Sequence, residues 1–148
     1  MQMQKAPVRL VLLNGTELRG DLFLHATADE AGRTETIGAR LGAEGACFLP
    51  LAHEGRVQLI RTNWIAYLEV AGTPPEIAEL EEIGANRATV ALELVTGETL
   101  CGDLLYLPPP GTNRVSDVLN ATGPKFLLLV VGGLTRYVQR DALARVQL

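Results

Sequence analysis

Apolar residues occupy every second position from Val8 through Leu10 to Leu12, and again from Val90 through Leu92 to Leu94. A period of two turns one face of a strand towards a core and the other towards solvent. Each run meets a turn at once, Asn14-Gly15 after the first and Thr96-Gly97 after the second. Asn-Gly between apolar runs predicts a two-residue type I′ hairpin, because both residues tolerate positive φ. Beyond the turns, Leu18, Gly20 and Leu22, or Leu100, Gly102 and Leu104, alternate along a returning strand. Gly15 to Gly97 and Asp21 to Asp103 are the same interval along the chain, so one hairpin is written twice. A glycine inside a strand marks a bend or a close backbone approach. Gly20 and Gly102 therefore predict two sheets bent at the same place, whereas Gly32, in a polar stretch, carries no such demand.

The rest of the chain repeats the plan. A short helix is expected near residues 36–41, then strands at 47–51, 57–61 and 65–70, with a tight corner at Thr62-Asn63. Gly72-Thr73-Pro74-Pro75 breaks the chain. Residues 76–83 then read as a short amphipathic linker helix with Ile77, Leu80 and Ile83 on its apolar face and Gly84 as its stop. In the second copy, residues 114–120 offer another short helix with Ser116 as N-cap. Strands follow at 126–131, 134–139 and 143–148. Phe48 to Phe126 and Ile65 to Leu143 share a second, slightly shorter interval, so the first copy is longer by four residues around its short helix. The expected organisation is a first repeat over 1–71, a linker over 72–86 and a second repeat over 87–148. The fold class is mostly β, with five strands in each repeat.

Composition adds bounds rather than chemistry. Of 148 residues, 47% are hydrophobic and 5% aromatic, which gives an aliphatic core. Repeats of roughly 65 residues sit near the lower limit of independent stability, so the halves are expected to pack on each other or on other subunits. The net charge of −4 comes from the linker, where Glu76, Glu79, Glu81 and Glu82 have no basic neighbour. Neither repeat has the basic excess that phosphate binding needs. Cys47 and Cys101 lie at non-equivalent points and read as buried, unpaired thiols. The chain start has no signal-peptide pattern, and the longest apolar run, 126–131, is too short to span a bilayer, so a cytoplasmic, membrane-free protein is expected.

Five short strands bent at glycines, with a tight corner before the last, resemble the Sm-like fold of small open β-barrels. Val8, Leu10, Leu12, Gly15, Leu18, Gly20 and Leu22 match its first motif, and residues 59–65 match its second. The resemblance implies two tandem Sm-like barrels. It also implies that the fourth strand of one unit pairs with the fifth of the next. Three chains of two repeats would then make a six-domain pseudo-symmetric ring. The loop residues that hold a base in RNA-binding Sm-like proteins fall near Ala26 and Glu30, or Pro108 and Thr112, none suited to the task. The arginine of the second motif persists as Arg61 but is Gln139 in the second copy. Residues 114–120 also resemble an R-[VL]-S-D-x-L-N run of small bacterial β domains, a resemblance that points to bacterial origin and brings no known activity.

Candidate site residues are few. Arg114, Ser116, Asp117 and Asn120 form the densest polar cluster, readable either as a binding surface or as the capping set of a one-turn helix. Trp64, at the corner before the fifth strand, reads as packing or as an interface anchor. Arg61, Arg136 and Arg140 would carry a nucleic-acid surface. His25 and His53 have no ligand partners at useful spacing, and no nucleophile–base set has a structural context, so no metal, cofactor or enzymatic activity is expected. The leading expectation is a scaffold or adaptor whose strand edges bind copies of itself or another protein. Nucleic-acid binding is the alternative.

Overall fold

The computed structural model describes residues 3–25, 35–42, 48–108, 111, 114–120 and 123–148. The first repeat contributes β1 (Met3–Leu12), β2 (Glu17–His25), α1 (Ile37–Gly42), β3 (Phe48–His53), β4 (Arg56–Arg61) and β5 (Ile65–Ala71). Helix α2 (Pro75–Glu82) links it to β6 (Asn86–Leu94), β7 (Thr99–Tyr106), α3 (Val115–Asn120), β8 (Phe126–Val131), β9 (Leu134–Gln139) and β10 (Leu143–Gln147). Single 3-10 turns, Thr62–Trp64 and Arg140–Ala142, precede β5 and β10. Helices α1 and α3 already stand at the same interval as Phe48 and Phe126, so the four extra residues of the first copy lie between β2 and α1.

The strands form one ten-stranded antiparallel sheet in the order β10-β6-β7-β8-β9-β5-β1-β2-β3-β4. Each repeat contributes five adjacent strands in the same internal order. The expected five-stranded sheets are thus joined edge to edge, through β5 and β9, and the sheet is not closed. The join runs from Tyr67↔Val138 to Ala71↔Leu134.

The hairpins depart from the predicted turn. Among the described residues Glu54 is the one non-glycine at positive φ, so Asn14 does not take the conformation a type I′ turn requires. Instead Leu12 and Thr16 close a three-residue loop, with the Gly15 N–H donating to the Leu12 carbonyl and Gly15 in the left-handed region. Asn14 serves through its side chain, whose Oδ1 accepts from the Thr16 N–H at 3.0 Å. Thr96 does the same more loosely, at 3.4 Å from the Glu98 N–H, which explains why threonine can replace asparagine there. The two-residue turns with positive φ at both positions are Glu54-Gly55 and Gly132-Gly133, joining β3 to β4 and β8 to β9.

Gly20 and Gly102 are where the bend is enforced. A Cβ on Gly20 would overlap the Ala52 carbonyl oxygen. One on Gly102 would stand 2.8 Å from the Val130 carbonyl oxygen, the looser of the two clashes. Ala52 and Val130 are themselves equivalent positions, so the third strand of each repeat crosses the same glycine.

Two apolar cores result, and each borrows from the other repeat. The first-repeat core around Leu10, Leu22, Leu51 and Leu68 takes in Phe126 and Tyr137. The second, around Leu92, Leu104 and Leu129, takes in Val11, Ala66 and Tyr67. Helix α2 ends in a complete glycine cap: Gly84 N–H donates to the Glu81 carbonyl and Ala85 N–H to that of Leu80, with Gly84 at φ +89. Of its predicted apolar face only Ile77 is fully buried. Ile83 has already left the helix and is exposed.

Gly20→Val and Gly102→Val should each lower stability by about 1–3 kcal/mol or more, the range for overpacking, with Gly20 the more sensitive because its clash is tighter. Gly32 lies outside the described residues, so the control is Gly42→Ala, whose Cβ meets nothing within 4 Å. Equal urea midpoints for the Gly20 and Gly42 variants would remove the close-approach explanation.

Candidate functional site

Three regions bring polar chemistry or unsatisfied surface together, and the first is the seat of α2. Pro75 starts this helix and sets Glu76 in its first turn. There the Tyr137 hydroxyl and, at 3.4 Å, the Gly38 N–H both donate to the Glu76 carboxylate. One side chain thus ties the linker to β9 and to α1. Burial holds Glu76 above the usual carboxylate range despite those donors. Burial, and then the neighbouring carboxylate, likewise raise the Tyr137 phenol. A cavity of about 650 Å³ opens beside this pair, lined by Leu80, Leu105, Val118, Phe126 and Leu128.

The second region is the charged network over the repeat junction. Glu69, on β5, lies opposite Arg136, on β9, and the two are paired at 2.8 Å. Arg9 approaches Glu69 at 3.5 Å and donates to Glu17 at 2.9 Å. Close by, the Tyr67 hydroxyl donates to Glu98 at 2.7 Å, crossing from one repeat to the other. Burial and the Glu98 contact push the Tyr67 phenol up to about 12.

The third region is the pair of open edges, β4 and β10. Here the duplication acts as an internal control, because each residue of one repeat has a counterpart at a fixed interval in the other. Phe126 is 8% exposed and its counterpart Phe48 47%. Tyr137 is 1% exposed and Leu59 65%; Thr135 is 0% and Val57 60%. Gln139 is buried, whereas Arg61 is exposed with its guanidinium 5.1 Å from the Phe48 ring centre. The second repeat's face is covered because the first repeat lies against it. The same contrast holds for the last strands: Ile65 to Leu68 are all fully buried, while Ala144, Arg145, Gln147 and Leu148 are exposed.

The predicted site residues divide between places. Arg114, Ser116, Asp117 and Asn120 lie on or beside α3 and chiefly serve that helix. Arg114 donates to Asp117 at 3.1 Å, and the Asn120 amide donates to the Ser116 carbonyl at 2.8 Å. The Arg114 carbonyl accepts the first helical N–H bonds, so Ser116 sits inside the first turn and is not the N-cap. Arg140 joins this cluster by donating to the Val118 and Leu119 carbonyls at 2.9 Å, closing the C-terminus of α3. Arg136 is engaged with Glu69. Arg61 stands instead exposed at the end of the open strand β4, whereas Trp64, also exposed, lies at the corner into β5, where its carbonyl accepts from the Leu13 N–H at 2.8 Å. Cys101 is exposed on the outer face of β7, contrary to expectation, since it alternates with the buried Leu100. Cys47 lies outside the described residues, as do Pro109 and Pro110, which follow Pro108 in the loop after β7.

Nothing local in the sequence singles out Phe48, Val57, Leu59 or Glu76 as site residues. Among the described residues no group of three or more metal-ligating side chains converges, and no helix is long and apolar enough to cross a membrane. Comparison with family models, curated proteins and solved structures finds no match to this chain.

Glu76 gives the fold a pH signature. Its folded pKa lies above the ordinary value of 4.5, so the folded state holds the proton more tightly than the unfolded one. Stability from this group is greatest below 4.5 and is lost as pH rises through the folded pKa. Glu76→Gln should therefore gain on the parent protein as pH rises from about 4 towards neutrality and then level off. Urea midpoints across that range check it, and an advantage that shrinks with rising pH would contradict the assignment.

Proposed function

We propose that the chain is a cytoplasmic scaffold built from two tandem Sm-like open barrels, and that its open strand edges take up further copies of itself. The supporting observation is the difference in exposure between equivalent residues. Phe48, Val57 and Leu59 occupy positions that are covered in the second repeat, where the cover is a neighbouring repeat. An uncovered strand with apolar side chains and no proline is a pairing surface. Both ends of the sheet are of this kind, and they differ from each other. A head-to-tail contact between them generates a ring or a filament. On this reading three chains would give the six-domain ring that the Sm-like resemblance implies.

An RNA surface is the weaker reading. Arg136 and Arg140 are turned to internal partners, and the net charge is −4. Oligo-U and oligo-A should bind no better than ~10⁻⁴ M at physiological salt. A micromolar, sequence-dependent affinity lost in Arg61→Ala would reverse the ranking.

Light scattering at micromolar concentration should give a mass well above the 15.9 kDa of one chain. Leu59→Lys changes a side chain that is exposed within the chain, so it should leave the fold intact and return the protein to single chains. A monodisperse parent protein of single-chain mass would end the scaffold reading.

A further inference from the structure

Resting on that reading, we infer that β4 of one copy pairs with β10 of the next in the register Ile60↔Arg145, Leu59↔Val146, Gln58↔Gln147 and Val57↔Leu148, and that Arg61 latches the junction by donating to the backbone carbonyls of Asp141 and Leu143. The template is the junction inside the chain. There Val138 lies opposite Tyr67, Tyr137 opposite Leu68, Arg136 opposite Glu69 and Thr135 opposite Val70. Replacing each residue by its counterpart in the other repeat, at the interval that relates Phe48 to Phe126, gives the stated pairs.

The chemistry of the transposed pairs is consistent on both faces. Successive side chains of a strand point to opposite sides. Val57 and Leu59 therefore share one face, and in this register they meet Leu148 and Val146. All four are apolar, and Val57, Leu59 and Leu148 are among the most exposed large hydrophobic side chains of the described chain. On the other face, Gln58 meets Gln147 where the internal junction sets Arg136 against Glu69. Both members of the charged pair are replaced together by neutral residues, and Arg145, opposite Ile60, keeps its own pair with Glu93 at 2.6 Å, so no carboxylate or guanidinium is left stranded in the new contact. A shift by one residue would turn Val57 and Leu59 away from Val146 and Leu148.

Arg61 follows from Gln139. The Gln139 amide donates to the carbonyl of Asn63 at 3.0 Å and to that of Ile65 at 2.6 Å, binding the corner that leads into β5. The equivalents of Asn63 and Ile65 are Asp141 and Leu143, at the corner leading into β10. Arginine carries five N–H donors in a planar fork and can serve two carbonyls at once. Phe48, stacked under Arg61, occupies the position from which Phe126 enters the first-repeat core. In the neighbouring copy it would enter the second-repeat core beside Leu143 and Val146.

Cysteine trapping tests the register in the full chain carrying Cys47→Ser and Cys101→Ser. Opposed residues of an antiparallel pair have Cα atoms about 4.5–5.5 Å apart, and a disulfide tolerates up to about 7 Å. Gln58→Cys with Gln147→Cys, and separately Val57→Cys with Leu148→Cys, should give disulfide-linked multiples of the chain on a denaturing, non-reducing gel. Gln58→Cys with Arg145→Cys is displaced by two residues, about 6.7 Å along the strand, and should not. Arg61→Gln, which installs the residue of the internal junction, should keep the assembly within a few-fold of the parent dissociation constant. Arg61→Leu should weaken it about tenfold or more, the loss expected for carbonyls left without donors. Multimers that persist in light scattering while the in-register pairs fail to cross-link would overturn this register and leave the scaffold reading standing. A single-chain mass would end both. In-register cross-links within one chain would mean that the sheet closes on itself, and would overturn the intermolecular pairing.

Discussion

The backbone pairing of β5 with β9 is the constraint on which the rest of the molecule depends. It converts two five-stranded units, each near the lower limit of size for a stable core, into one ten-stranded sheet. It also covers two edges that would otherwise be open. Neither core is complete without it: Phe126 and Tyr137 fill space in the first repeat's core, and Tyr67 fills space in the second's. Helix α2 reinforces the same join, since Glu76 accepts hydrogen bonds from both repeats. The partly buried carboxylate is costly, and the two hydrogen bonds it accepts offset part of that cost.

The junction is also marked by charge. Glu69, flanked by Arg9 and Arg136, is a largely buried carboxylate whose partners come from both repeats. Were β5 to pair with β4 of another molecule, Gln58 would replace Arg136, and Glu69 would lose its closest cation. That penalty separates the right partner from a strand of nearly the same shape. One ion pair can thus keep the internal junction apart from the proposed one between chains.

Much of this architecture is legible in the amino-acid sequence, because strand alternation and turn glycines are local signals. The two recurring intervals between the copies already reveal which strands correspond, and Gly20 and Gly102 already mark the bend. Turn type at Asn14-Gly15 is not legible: the local preference of asparagine for positive φ gives way to a three-residue loop that uses its side chain instead. Ser116 misleads in a similar way, because helix α3 begins before its best capping residue. The candidate surface is hidden altogether. Val57-Gln58-Leu59 reads like any half-buried strand, and only the covering of Thr135, Arg136 and Tyr137 shows what its exposure means. Glu76 is hidden for another reason: an acid in the first turn of a helix is the ordinary complement of the helix dipole, and nothing local says that it points inwards.

The short tether from Gly72 to Ala85 has a consequence for how such an assembly would be counted and taken apart. Because the tether joins β5 to β6 and so keeps both repeats in one molecule, the encounter of β5 with β9 takes place at an effective concentration of the order of millimolar, independent of how dilute the protein is. A contact between chains would have no such help. On dilution only a contact between chains would part, and the particle released would be a covalent pair of repeats, never a single one. A closed assembly of these chains would accordingly contain an even number of repeats.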